Sequence, residues 1–600
     1  MRIFFVKRKK NADVMQEEMV TTPLQTMVKN FFRNPIGVVG LLGFLAILLT
    51  VLIGDKYFVY DDFYRQPIVK NIGPGYGYLD YPNEIKGNVK DIQSGATFSA
   101  ALTNDGKVKM WGKDLEGAIT PPEDIQKKLD EDTITHMGVG DKFIVVLNDK
   151  NEFYGWGNNS FNQLMLPVVD KANMLNEGIV KIKGGDQYSV ALTGANNIYV
   201  WGSTMGNNLH RIPKRLKGKV ADFAVSSTNI VVLTTDGTVD VFGARGGQIY
   251  EDIPEKLQDG SLKIVDIAMT LYSGAALDDQ GVVHTWGANM ENTLDVPDFG
   301  GEKVLGVYGG REYFVARTES GKVYTWGLDN YREVSNSPEG EGYTAVYADY
   351  FQNYAVKEDG SIDTWGSNGF ILGTDELGRD MWIRIIKGGK LTLSISFIAV
   401  LIQVVIGVIV GLISGYYGGV IDNILMRFAE VVASFPFYPL VITIGAMLPP
   451  DTPQKTRLVM IMVILGILGW TGIARLIRGQ ILAEREKDYV LAAKALGIRE
   501  AGIMKRHILP NVVSIVIVQA TIGYASNLLT EAGLSFLGFG VKPPYASWGN
   551  MLTNAQQTEV IQFFWWRWVF PAMGVFLTAL SVNLAGDAMR DAIDPKANER

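Results

Sequence analysis

Long apolar runs are distributed unevenly along the chain. One, Ile36 to Ile53, follows a polar start that carries Lys7-Arg8-Lys9-Lys10; five more lie near Leu391–Gly415, Val431–Leu448, Leu458–Ile473, Val512–Leu529 and Val569–Leu584. Runs of this length suit the hydrocarbon core of a bilayer, so the pattern predicts six transmembrane helices, one before and five after the 55–370 segment. Leu52-Ile53-Gly54-Asp55-Lys56 offers no small-residue cleavage site, so the first run reads as a retained anchor and not a signal peptide. Positive charge ahead of it places the amino terminus inside.

Between the first and second runs the pattern changes to short apolar stretches joined by turn residues, as in Ser99–Met110 around Asp105-Gly106 and in Ala275–Thr285 around Gln280-Gly281. Such pairs predict hairpins. Trp-Gly recurs at 111–112, 156–157, 201–202, 286–287, 326–327 and 365–366, and Phe242-Gly243 fills the gap, with spacings of 45, 45, 41, 44, 40 and 39 residues. That repeat length suits a four-stranded blade, and seven repeats predict a seven-bladed β-propeller. The units resemble the repeats of the regulator of chromosome condensation family over roughly residues 85 to 368, which implies a fold and not an activity. The tryptophans read as core residues between blades, and Gly184-Gly185-Asp186 and Gly309-Gly310-Arg311 as turns leading into strands. A closed propeller brings its two ends together and can therefore sit within a loop.

Tyr489 to Pro510 is a polar interruption between two apolar runs. Ala492 and Ala493 let another protein approach a helix closely, Gly497 can end that helix in the left-handed conformation, and Pro510 is expected to stop the following helix from continuing upstream. The alanine pair, the glycine and the Ile508-Leu509-Pro510 exit resemble the ATPase-coupling "EAA" loop of ABC importer permeases. Leu491 stands where that motif carries an acidic residue. Leu372–Asp380, in which Thr374 or Asp375 could cap a helix, resembles a signature of the oligopeptide, dipeptide and nickel class of these permeases. So do Glu531–Val541, Pro543-Pro544, Ser547–Leu552 and Asn583–Pro595. The resemblance, to the second-type or "C" permease subunit, covers residues 372 to 595 and implies the fold of a type I ABC importer permease. Glycine-rich backbone at Gly533 and Gly538 suits a gate, and Glu531, ionisable within a span, is a pathway candidate, with a structural hydrogen bond to backbone as the alternative.

Charge sharpens this division. The chain's net charge is −7, from 56 Lys and Arg, 63 Asp and Glu, and neutral histidines. Segments 1–54 and 371–600 are each +4 and segment 55–370 is −15, an acidic middle unsuited to nucleic acid. Eight Lys and Arg between Arg475 and Arg506 favour the inside for the 480–510 loop, which puts the propeller outside and both termini in the cytoplasm. Cysteine is absent and the four histidines show no metal-binding spacing, so no thiolate or metal site is expected. A G-x-x-x-x-G-K-[ST] loop is absent too; Gly388-Gly389-Lys390 is followed by Leu391. The chain is therefore expected to bind no cofactor and to be no enzyme. The resemblance implies ATP and Mg on two partner ATPase subunits, a second permease subunit, and an extracytoplasmic substrate-binding protein as partners, with peptides as the substrate class and nickel or another small solute as alternatives. The expected division is 1–54 tail and first helix, 55–370 propeller, and 371–600 permease domain in the cell membrane. Leu491 keeps a second reading open, a membrane-anchored recognition propeller whose permease half no longer transports.

Overall fold

The computed structural model describes residues 23–57, 64–203, 207–245, 247–447, 449 and 452–593; the Lys7–Lys10 run, Leu448, Asp594 and Pro595 lie outside them. Two compact units form, one from Met1–Arg65 with Leu372–Arg600 and one from Gln66–Ile371, so the first boundary falls later than residue 54. The first apolar helix runs on to Tyr57.

The helical unit consists of α1 (Pro23–Phe31), α2 (Pro35–Tyr57), α3 (Met381–Tyr417), α4 (Gly419–Ser434), α5 (Phe437–Ala446), α6 (Gln454–Glu484), α7 (Asp488–Ala495), α8 (Glu500–Phe536), α9 (Trp548–Leu552) and α10 (Trp566–Ile593), with short helical turns between some of them. Five of these, α2, α3, α6, α8 and α10, are long and apolar enough to cross a membrane; the bent pair α4 and α5 would bring the number to six. The apolar run Val431–Leu448, expected as one transmembrane helix, falls across α4 and α5, which meet at a 72° bend. Pro436 accounts for the break, because its ring pushes Phe435 out of the helical region to φ −71° and ψ 130°.

Helix α3 begins ten residues before the apolar run that predicts it. Its cap is Asp380, whose carboxylate accepts a hydrogen bond from Trp382 N at 2.7 Å, and not Thr374 or Asp375. Asp375 is committed elsewhere, accepting Leu377 N and Arg379 N at 2.9 Å each. Farther along, Gly407, Gly411 and Gly415 let α3 lie directly on α6: a Cβ at these positions would sit 2.7 Å from Ile473 Cγ2, 2.7 Å from Ala474 O and 2.8 Å from Arg478 O. Small residues at four-residue spacing bring helix backbones together where lipid supplies no hydrophobic drive.

The other unit is all β. Among the described residues it holds seven three-stranded antiparallel sheets and one two-stranded pair. Three strands, and not four, form each of the seven sheets: between repeats the chain runs on as loop or short helix, as at Glu123–Glu131, and after the last Trp-Gly as the strand Gly369–Phe370, which belongs to the separate two-stranded pair. Neighbouring sheets share apolar cores. The last shares one with the first, through Ile92, Ala101 and Trp111 against Tyr354 and Ile362.

The Trp-Gly signature has a direct steric cause. All seven glycines have positive φ, from 95° at Gly157 to 129° at Gly243. A Cβ there would meet backbone oxygen, 2.6 Å from Thr97 O at Gly112 and 2.2 Å from Phe351 O at Gly366. The tryptophans are buried, and four donate Nε1–H to backbone of the preceding repeat: Trp156 to Ala118 O, Trp201 to Gln163 O, Trp286 to Ile249 O and Trp326 to Thr293 O, at 2.9 to 3.1 Å. Trp111 donates to Tyr354 Oη at 3.0 Å, tying the first sheet to the last. The ends of the unit also meet, with Gly75 paired to Phe370 and Tyr76 to Gly369.

Candidate functional site: the 489–510 element and a polar cavity among the helices

Helix α7 ends as its sequence dictates. Gly497 adopts φ +75°, Ile498 N–H reaches back to Ala493 O at 3.2 Å, and Gly497 N–H to Lys494 O at 3.0 Å. This is a Schellman cap, which satisfies carbonyls that the helix end leaves open. After a short turn α8 starts at Glu500. Pro510 does not interrupt it; the expected break is absent. The helix widens to a π turn over Met504–Ile508, with Leu509 N–H donating to Met504 O, and then resumes. The wider turn accommodates a proline that has no N–H to give.

The two alanines have opposite environments. Ala493 is 4% exposed and packs with Val490, Ile503 and Ile508 against Tyr416 of α3 and Ile477 and Ile481 of α6. Ala492 faces out, beside Leu491 at 48% and Leu496 at 80% exposure. Leu509 is partly buried in the same cluster and Pro510 is exposed. Polar clamps join the element to three helices. Tyr489 Oη donates to Glu484 Oε2 at 2.5 Å and accepts from Asn511 Nδ2 at 2.9 Å. Burial, with that carboxylate beside it, pushes the Tyr489 hydroxyl up to about 12. Arg485 Nη1 donates to the Gly415 and Tyr416 carbonyls at 3.3 Å, closing the end of α3. Lys487 pairs with Glu484 and Arg478 with Asp422, so these flanking cations act within the protein, while Lys505 and Arg506 are exposed. The result is an apolar, cation-rimmed surface held rigidly to the ends of α3, α6 and α8.

A cavity of about 390 Å³ opens among α3, α5, α6 and α8. Gln519, Gly523, Ser526, Asn527 and Thr530 line it from one face of α8. Gln403 Nε2 donates to Asn527 Oδ1 at 2.9 Å and to Leu465 O at 2.8 Å. Polar side chains in a row on an otherwise apolar helix mark a water-facing or interhelical surface. Their spacing of three and four residues was visible in the sequence, but run length alone does not reveal it.

The three gate candidates are separated. Glu531 is 1% exposed, accepts from Ser535 Oγ at 2.7 Å, and lies outside the lining of that cavity. Gly533 has open space where a Cβ would be, and Gly538, at φ +84°, lines a second cavity. In the β unit, Gly185 N–H bonds Tyr188 O and Gly310 N–H bonds Tyr313 O at 2.7 and 3.0 Å, so both glycine pairs are turns before strands. Those turns also meet: Arg311 Nη1 contacts Asp186 Oδ1 at 3.0 Å beside a cavity of about 40 Å³. Among the described residues no cluster of His, Asp and Glu could hold a metal ion.

Residues 407–599 match the binding-protein-dependent transport system inner membrane component family. Over 236 residues the chain is 40% identical to the dipeptide transport system permease protein DppC of Bacillus subtilis (strain 168), covering 39% of this chain and 70% of that protein. The chain belongs to the binding-protein-dependent permease family. It is also 42% identical over 230 residues to the oligopeptide transport system permease protein OppC of Escherichia coli (strain K12), covering 38% of this chain and 73% of that one. Residues 89–118 match a regulator of chromosome condensation repeat. The CRINKLY WD40 ectodomain of the Arabidopsis thaliana receptor kinase ACR4 is similar at 19% identity and a TM-score of 0.34, covering 46% of this chain and 94% of that structure. The chain is a multi-pass membrane permease that carries a repeat of the chromosome condensation type at residues 89–118.

Proposed function

We propose that this chain is one of two permease subunits of an ATP-driven importer of peptides. Two separate ATPase subunits energise it through the 489–510 element, and a substrate-binding protein delivers the solute. The observation that carries the reading is the exposed Leu491, Ala492 and Leu496 surface on a helix whose other face is packed into the ends of three spans. Such a surface passes a push to the helices without bending itself. In this reading the bent pair is one span, so that six crossings leave both termini on one side; the eight Lys and Arg between Arg475 and Arg506 support the cytoplasm for that side and for this element, and the outside for residues 66–371. The polar face of α8 then serves as this subunit's share of the pathway.

The β unit, in this reading a closed seven-bladed propeller, docks the binding protein or another external partner. Peptide uptake in cells and co-purification of the ATPases test the two halves separately. Two ATPase subunits should co-purify with the wild-type chain. Their absence would overturn the coupling role and leave the scaffold reading that Leu491 supports. Replacing residues 66–371 by a short Gly-Ser linker should keep the ATPases bound and lower binding-protein-dependent uptake; wild-type uptake after the deletion would overturn the docking role.

A further inference from the structure

The segment Leu372–Asp380 lies outside the 489–510 element and is tied into the helical unit by buried charge. Asp375, Arg379, Arg384 and Arg567 are all buried. Asp375 Oδ2 receives Arg379 Nε at 2.7 Å and Arg384 Nε at 3.2 Å, while its other oxygen is taken by the Leu377 and Arg379 amides. Glu376 receives Arg567 Nη2, Asn554 Nδ2 at 3.0 Å and, more distantly, Arg379 Nη2 at 3.8 Å. Both carboxylates are therefore occupied. Arg379, 7% exposed, still has Nη1 buried without a hydrogen-bond partner.

These groups border a cavity of about 240 Å³, whose far wall includes Gly538, Lys542 and Asn550. Four cationic side chains and two carboxylates line it, so two positive charges are uncompensated within the lining. Guanidinium cannot shed its charge by deprotonation, and a buried cation short of partners is costly. A planar oxyanion supplies the missing charge and matches the guanidinium fork.

We propose that this cavity binds a small carboxylate, with Arg379 as its principal contact and Lys542 closing the open side. The lining includes the glycine of the expected gate loop, so the bound carboxylate would bridge the start of α3 to that loop. The site stands on its own groups and does not depend on peptides being the cargo.

The test uses the full chain in nanodiscs and saturation-transfer NMR with acetate, alanyl-alanine and alanyl-alanine amide as probes. Acetate reports a free small carboxylate, and the acid against the amide reports a peptide terminus. Acetate and alanyl-alanine are expected to bind and the amide to lose its signal. Arg379→Gln should weaken acetate by about tenfold or more, as loss of a charged hydrogen bond implies. Lys542→Gln, at an exposed position that leaves packing untouched, should weaken it several-fold, which keeps the test decisive where Arg379→Gln fails to fold. Absence of acetate binding, equal binding of acid and amide, acetate affinity unmoved by a folded variant, or loss of the acetate signal when equimolar sulfate is added as competitor would each overturn the proposal.

Discussion

Replacing Gly497 by valine isolates the cap of the 489–510 element. A Cβ at Gly497 meets nothing within 4 Å, so the substitution creates no clash, and its cost comes from the backbone at φ +75°. Holding an L side chain in the left-handed region costs about 1–2 kcal/mol, a factor of roughly 5–30 in the population of the native cap. When the cap opens, the Ile498 to Ala493 bond is lost and the surface around Ala492 no longer sits at a fixed angle to α8. The expected outcome in proteoliposomes containing the whole transporter is ATPase activity retained, and peptide uptake per ATP hydrolysed reduced about fivefold or more. Gly497→Asn should restore much of the uptake, because asparagine tolerates the left-handed region. Uptake by the valine variant at the wild-type rate, with the protein folded and assembled, would refute the claim that this cap transmits motion.

Ala493→Phe overfills the cluster of Val490, Ile503 and Ile508 and should cost about 1–3 kcal/mol, seen as less folded chain by fluorescence-detected size exclusion. Ala492→Phe, on the exposed face, should leave folding intact and weaken ATPase co-purification. In the β unit, Tyr354→Phe strands Trp111 Nε1, which donates to Tyr354 Oη at 3.0 Å, and removes the bond that Tyr354 Oη gives Ser99 Oγ at 2.8 Å, leaving Ser99 its bond with Ser94 Oγ. Hydrogen exchange in the full chain should show faster opening of residues 98–112, for a cost of about 1–3 kcal/mol. Burial, and then the neighbouring Asp186 charge, push Asp141 up to about 8 from an ordinary 3.8. The folded chain thus holds a proton that the unfolded chain releases, so this group's contribution makes stability fall as pH rises from about 4 to about 8, by at most ~1.4 kcal/mol per pH unit, and flatten above that. Asp141→Asn should reduce the slope in denaturant titrations of the full chain; an unchanged slope counts against the assignment.

Residue type and spacing alone made much of the molecule legible. The Trp-Gly repeat announced the sheets, because only glycine avoids the backbone oxygens at those turns and only a large aromatic ring fills the space between sheets. Ala492, Ala493 and Gly497 announced the helix and its end, because a Schellman cap is a local device. Tertiary structure decided what depends on partners distant in the chain. Sequence could not assign opposite faces to two adjacent alanines, since the choice rests on Tyr416, Ile477 and Ile481 from other helices. It did not show that a π turn carries α8 through Pro510, or that Asp380 and not Asp375 caps α3. Asp375 is withdrawn from capping by its local turn and by Arg384 nine residues on. The three arginines at 379, 384 and 567 became one charged cavity only when α10 was laid beside the start of α3, because charge becomes a site only where folding removes the water around it.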